Sequence, residues 1–169
     1  GAHNCNEGPT LAAAHGLLGM ITQNSSDFTQ TARLLSVYGQ FWANNTRNGT
    51  KAFAAQWDFF QCDPLMSSYQ ALLRSNTTSL LSPLDVRHIK NAAKSVCQPQ
   101  MRGVFNQPLS RVAGTAKALS VWPNIAHNTT TVWHEYVDAV WDDWDRAGAT
   151  QRIPQVRIAQ HIMTHVFAS

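Results

Sequence analysis

The sequence predicts an all-α fold, a single-domain bundle of about six to eight short-to-medium helices. Apolar residues recur at three- and four-residue intervals along several segments. Helix start and stop signals punctuate the chain between those segments. No stretch alternates apolar and polar residues at period two for long. The 169 residues suffice for one domain with a sizeable core, and 44% apolar content supports a globular reading. The natural division is an N-terminal tail, 1–8, and a helical domain, 9–169.

Taken in order, Pro9 and Thr10 open "LAAAHGLLGMITQ", which stops before Asn24. Ser26 is positioned to cap "DFTQTARLLSVYGQFWAN", in which Phe28, Ala32, Leu35, Tyr38 and Trp42 share a face. "TKAFAAQWDFFQC" follows, with Phe53, Trp57 and Phe60 together, and Asp63-Pro64 is expected to break or kink it. "PLMSSYQALLRS" runs to Asn76. Ser82-Pro83-Leu84-Asp85 reads as a helix start: a Ser cap, Pro at the first helical position and an acid near the positive helix end. That helix ends near Cys97, before Pro99. "PLSRVAGTAKALSVW" is a weaker helix ending at Trp122-Pro123. Asn128 precedes the long run "TVWHEYVDAVWDDWDRA", which Gly148 is expected to stop. A last helix, "QVRIAQHIMTHVFA", starts at Ile153-Pro154.

Charged residues make up only 14% of the chain, below the usual quarter. Such a surface needs another source of solubility, and the sequence offers one. Asn-x-Ser/Thr occurs at Asn24, Asn44, Asn48, Asn76 and Asn128. Chance pairing of 11 Asn with 26 Ser and Thr in 169 residues, 11 × 26/169, gives about 1.7 such motifs. All five fall at predicted helix boundaries, where an accessible asparagine is expected. The pattern indicates N-glycosylation, and with it a secreted chain or lumenal ectodomain. No apolar run approaches the ~18 residues that a membrane span needs.

Three cysteines cannot all pair within the chain. Cys62 and Cys97 each lie at a predicted helix end, favouring an internal Cys62–Cys97 disulfide with Cys5 left for a covalent dimer or a second chain. The competing arrangement has Cys5 stapling the tail to one of the others.

Half of the ten acidic residues lie in 131–147. At 100° per residue, Glu135, Asp138, Asp142 and Asp145 share an arc of about 80°. Trp133, Val137, Val140, Trp141 and Trp144 are expected opposite them, in the core. Like charges four apart repel by about 0.2–0.5 kcal/mol, so a one-signed face calls for a compensating cation or a basic partner. Arg87, Lys90 and Lys94 are one source within the chain. A net charge of +3, with no Arg/Lys cluster interleaved with aromatics, argues against nucleic acid.

Metal chemistry has two footholds. His161 and His165 stand at i,i+4, with His134 and Asp138 at the same spacing, a ligand set of the right type. Gly1-Ala2-His3 could wrap a square-planar Cu(II) or Ni(II). The zinc-protease pattern, GxSxG, P-loop and GxGxxG are all absent from the sequence, so an enzyme is disfavoured. The leading expectation is an N-glycosylated helical interaction protein of ligand, receptor-binding or effector type. It would need no cofactor and would dock a protein through its glycan-free C-terminal face. A helical carrier of a small apolar ligand and a small metal-dependent enzyme using His161 and His165 are the alternatives.

Overall fold

A computed structural model describes residues 7–45, 59–97, 106–125 and 130–149. They form six α-helices: α1 (Glu7–Thr22), α2 (Ser25–Asn45), α3 (Phe59–Arg74), α4 (Pro83–Val96), α5 (Asn106–Val121) and α6 (Thr130–Ala149). A 3-10 turn at Thr78–Leu80 links α3 to α4. No strand occurs among the described residues, as the absence of period-two patterning required. Phe53, Trp57 and the expected last helix from Ile153 lie outside them.

α1 starts at Glu7, before Pro9, because a proline in the first turn forfeits no helix hydrogen bond. It ends at Thr22, followed by Gln23 in the left-handed region at φ 55°. The cap of α2 is Asn24, not Ser26: the Asn24 Oδ1 accepts from the Ser26 N–H at 3.0 Å, and its carbonyl accepts from Asp27 N–H at 3.2 Å. Asparagine is among the best N-caps, and here it stands immediately before Ser25, the first helical residue. Of the expected α2 stripe, Leu35 is fully enclosed, Phe28, Ala32 and Tyr38 are nearly so, and Trp42 is partly buried against the core.

α3 is continuous through Pro64, so the break expected there does not occur. Pro64 is the sixth helical residue and removes one backbone hydrogen bond. Cys62, Leu65 and Met66 around it are fully buried, and that packing holds the helix across the gap. Its C-terminus closes by a Schellman motif: Thr77 N–H donates to Leu72 O at 2.9 Å, Asn76 N–H to Leu73 O at 3.1 Å, and Asn76 takes the left-handed φ of 56°.

α4 begins as its sequence foretells. The Ser82 Oγ accepts from Asp85 N–H at 3.1 Å, and Asp85 Oδ2 accepts from Ser82 N–H at 3.1 Å, a complete capping box with Pro83 at the first position. The same carboxylate reaches across to α2, where Ser36 Oγ donates to Asp85 Oδ1 at 2.6 Å. The Ser36 and Ser82 bonds hold the Asp85 carboxyl at about 2, below the usual carboxylate range.

α3 is the hub, packing against α1, α2, α4 and α5; α2 also packs on α1 and α4, and α6 on α5. Two glycines set how close the helices come. A Cβ at Gly114 of α5 would lie 2.6 Å from Asp63 N and Cys62 C of α3 and would strike the Cys62 sulfur. A Cβ at Gly16 of α1 would lie 2.8 Å from the Ala71 Cβ of α3. Cys62 and Cys97 are disulfide-bonded with Cα atoms 5.0 Å apart, tying α3 to the end of α4. From α5, Arg111 Nη1 donates to Val96 O at 3.0 Å and Thr115 Oγ1 to Cys97 O at 2.9 Å. Both satisfy carbonyls that the end of α4 leaves open, and the guanidinium suits the negative helix end. Lys117 adds a bond to Asp63 Oδ1 at 2.6 Å. Buried residues from all six helices join one apolar cluster. α6 runs through Gly148 to Ala149 rather than stopping there; an interior glycine costs only about 1 kcal/mol.

Three outcomes follow for urea denaturation. Gly114→Ala should destabilise by about 3 kcal/mol, the upper end of overpacking, because the atoms in its way are backbone and a disulfide. Cys62→Ala with Cys97→Ala should cost about 2–4 kcal/mol, since the bridge closes a loop of sequence separation 35. The Asp85 carboxyl is depressed on folding, so its contribution is complete above pH ~4 and is lost as pH falls toward 2. The stability gap between wild type and Asp85→Asn, measured at pH 7, should therefore shrink at pH 2.5.

Candidate functional site

α6 carries five of the ten acidic residues of the chain and divides them from its apolar residues by face. Trp133, Tyr136 and Val140 are buried, and Val137 packs at their edge. Glu135, Asp138, Asp142 and Asp145 are all exposed, as the helical arc requires. Asp143 stands apart from them and takes Arg146, whose Nη2 lies 3.2 Å from Asp143 Oδ1. The Arg146 Nε donates to the Asp142 backbone carbonyl at 3.2 Å, leaving the Asp142 carboxylate outside that pair.

The basic residues expected as an internal counterweight are elsewhere. Arg87, Lys90 and Lys94 stand on α4, which packs on α2 and α3, whereas α6 packs on α5. Among the described residues no ion pair joins them to the acidic row. The α6 repulsion is thus not offset from α4.

One aromatic residue departs from expectation. Trp141 is 44% exposed, whereas Trp133 is only 4% exposed. The reason is angular: Trp141 lies 80° around the helix from Trp133 but only 60° from Asp138 and 40° from Asp145. The buried residues Tyr136, Val140 and Trp133 span 60° of the helix with Val140 between the other two, so Trp141, 100° from Val140, sits on the flank and joins the acidic face. The periodicity contained that signal, but grouping all tryptophans as core concealed it. Tyr136, not singled out from the sequence, takes the inward place. Its hydroxyl is buried without a hydrogen-bond partner, and burial raises its pKa, with Arg111 opposing.

Other candidates divide by location. Asn24, Asn44 and Asn76 are exposed, at the cap of α2, in its last turn and just past the C-cap of α3; Asn48 and Asn128 lie outside the described residues. At Asn24 the cap uses Oδ1, leaving the amide nitrogen, the atom that would carry sugar, free of that bond. His134 is exposed on α6, while His161, His165, Gly1-Ala2-His3 and Cys5 lie outside the described residues. Within them no group of three or more His, Cys, Asp or Glu could hold a metal ion, and no helix is long and apolar enough to cross a membrane.

No protein-family model matches this chain, and no curated protein or solved structure matches it.

The two tryptophans give a direct check on the orientation of α6. Trp133→Ala should cost about 3–5 kcal/mol in urea denaturation. Trp141→Ala should cost well under half of that, since the side chain already stands partly in water. Equal losses would reverse this assignment.

Proposed function

We propose that this chain is a secreted or ectodomain N-glycosylated helical protein that docks a basic protein partner through the outer face of α6. The observation that carries the proposal is the exposed row Glu135, Asp138, Asp142 and Asp145 with Trp141 at its margin. Four carboxylates on one arc create a negative potential that steers a cationic partner and fixes its approach. An exposed tryptophan beside them supplies an apolar anchor and a ring face for a Lys or Arg. Binding of this type accounts for a row of like charges that Arg146, paired with Asp143, offsets only in part.

Support for the compartment is separate. The Cys62–Cys97 disulfide fits an oxidising environment. The three sequon asparagines that the structure describes all reach solvent, as an acceptor must. None of the five sequons lies beyond residue 128, which keeps sugar off the α6 sequence. The odd cysteine, Cys5, is left for a second chain or a covalent dimer.

The compartment reading is tested by mass spectrometry of the chain expressed in a eukaryotic secretory host. Enzymatic removal of N-glycans should lower its mass by several kilodaltons; an unchanged mass would refute glycosylation. The docking reading is tested with fluorescently labelled protein on cells that bind it. Asp138→Asn, Asp142→Asn and Asp145→Asn together should reduce binding at least tenfold while leaving helical content and urea midpoint intact or slightly raised. Wild-type binding should weaken with added salt, since exposed charges are screened over about 10 Å at 0.1 M. Binding that survives both changes would sink the proposal.

A further inference from the structure

α4 carries the opposite charge to α6. Arg87, Lys90 and Lys94 lie within an arc of about 60° on its outer side, along about 10 Å of helix. Ile89, Ala92, Ala93 and Val96 are buried on the other side. Arg87 is exposed, and Lys90 and Lys94 are half-buried. Asp85 stands about 160° around the helix from Arg87 and is held by Ser36 and Ser82, so it does not compensate the row. Among the described helices only α4 and α6 carry three or more charges of one sign. α1, by contrast, turns Leu11, Leu17, Leu18 and Ile21 outward over buried Pro9, Ala12, Gly16 and Gly19, with Glu7 its one acid. Within one chain no ion pair among the described residues joins the α4 and α6 rows, and the two helices pack on different neighbours.

We propose that the two rows meet between copies of this chain, the basic face of α4 on one copy seating against the acidic face of α6 on the next. The proposal rests on the α6 docking reading and names its partner. Charge complementarity selects this occupant, and so does spacing. Arg87, Lys90 and Lys94 are separated by three and then four residues. Glu135, Asp138 and Asp142 are separated in the same way, and so are Asp145, Asp142 and Asp138 taken in reverse. Three cations therefore oppose three carboxylates at equal rise, whichever way the helices run. Trp141, at the margin of the acidic row, offers its ring face to a cation of the facing row. Contacts of α4 with α4, or of α6 with α6, would set like charges together, so the contact is heterologous. Each contact leaves one row free at either end, and copies add until the chain of molecules closes. No sequon falls within either helix. The net charge of +3 acts across the whole surface and is screened over about 10 Å at 0.1 M salt, whereas facing pairs sit inside that distance. A single helix face buries less than the ~800 Å2 per partner of a standard interface, which makes the association reversible and concentration-dependent.

The test uses the full chain, read by light scattering over a series of protein concentrations. Wild-type mass should rise with concentration at ~0.05 M salt, and the association constant should fall at least tenfold at ~0.5 M. Arg87→Glu with Lys90→Glu should be monomeric, and so should Asp138→Lys with Asp142→Lys, both with helical content unchanged. An equimolar mixture of these two variants should associate again, because each reversed row then meets its opposite. Arg33→Gln, exposed on α2 outside both rows, should associate like wild type. If a reversal lowers helical content, Arg87→Gln with Lys90→Gln and Asp138→Asn with Asp142→Asn take its place, each expected to lower the constant at least tenfold. A wild type that stays monomeric at low salt would overturn the proposal. So would reversed variants that associate alone, or a mixture of them that does not. A monomeric wild type retained on immobilised heparin through Arg87 and Lys90 would overturn it too, and would give the α4 row to an anionic polymer. Cell binding remains the separate measure of the α6 reading: a monomeric chain that still needs Asp138, Asp142 and Asp145 to bind cells defeats only the contact between copies.

Discussion

The contact of α5 with α3 at Gly114 is the constraint on which the rest of the arrangement depends. Only a residue without a side chain lets the α5 backbone lie against Cys62 and Asp63. That proximity places Arg111 and Thr115 at the carbonyls of Val96 and Cys97 and Lys117 at Asp63. The disulfide pins the same end of α4 to α3. α4 in turn holds α2 through Asp85 and Ser36. α6 packs on α5, so the acidic row takes its position from a glycine on a neighbouring helix. A one-carbon change there would propagate to a surface that it never touches.

What the sequence revealed about this fold is what local chemistry decides. The Ser82–Pro83–Asp85 start of α4 is written in four consecutive residues and formed as read. The Phe28-to-Tyr38 stripe and the exposure of Glu135, Asp138, Asp142 and Asp145 follow from helical period alone. Failures came where distant contacts outvote local ones. Pro64 looks like a breaker until Cys62, Leu65 and Met66 are seen buried around it. Gly148 stays helical in the last turn of α6. Ser26 lost the cap of α2 to Asn24, a choice between neighbours of nearly equal propensity. Trp141 was misplaced because hydrophobic character was weighed over angle. Asp85 bonding to Ser36, 49 residues away, has no sequence signal at all. The carboxylates of the candidate site were therefore legible, and its aromatic member was not.

α1 and α6 invert each other's logic. On α6 large apolar residues turn inward and charge turns outward, the ordinary amphipathic division. On α1 the inward residues are small and the outward ones large. Helix packing distance explains how both coexist. A helix that must approach two neighbours closely spends its inner face on glycine and alanine, and its larger apolar side chains then have only the outside left to occupy. Such a helix shows little amphipathic contrast by period, since both faces read as apolar, and the sequence alone does not tell which face is buried.

The Schellman end of α3 bears on how its sequon can be studied. Asn76 occupies a left-handed backbone position that most residues resist. Replacing it with glutamine, the usual way to erase a glycan, would disturb the helix end at the same stroke, and any phenotype would confound architecture with sugar. The third sequon residue offers a cleaner handle. Thr78 opens the 3-10 turn, where its backbone carbonyl accepts from Leu81 N–H at 3.0 Å, a bond that alanine preserves. At this site, then, the acceptor asparagine belongs to the skeleton of the protein, and the threonine two residues on is the part that can be edited independently.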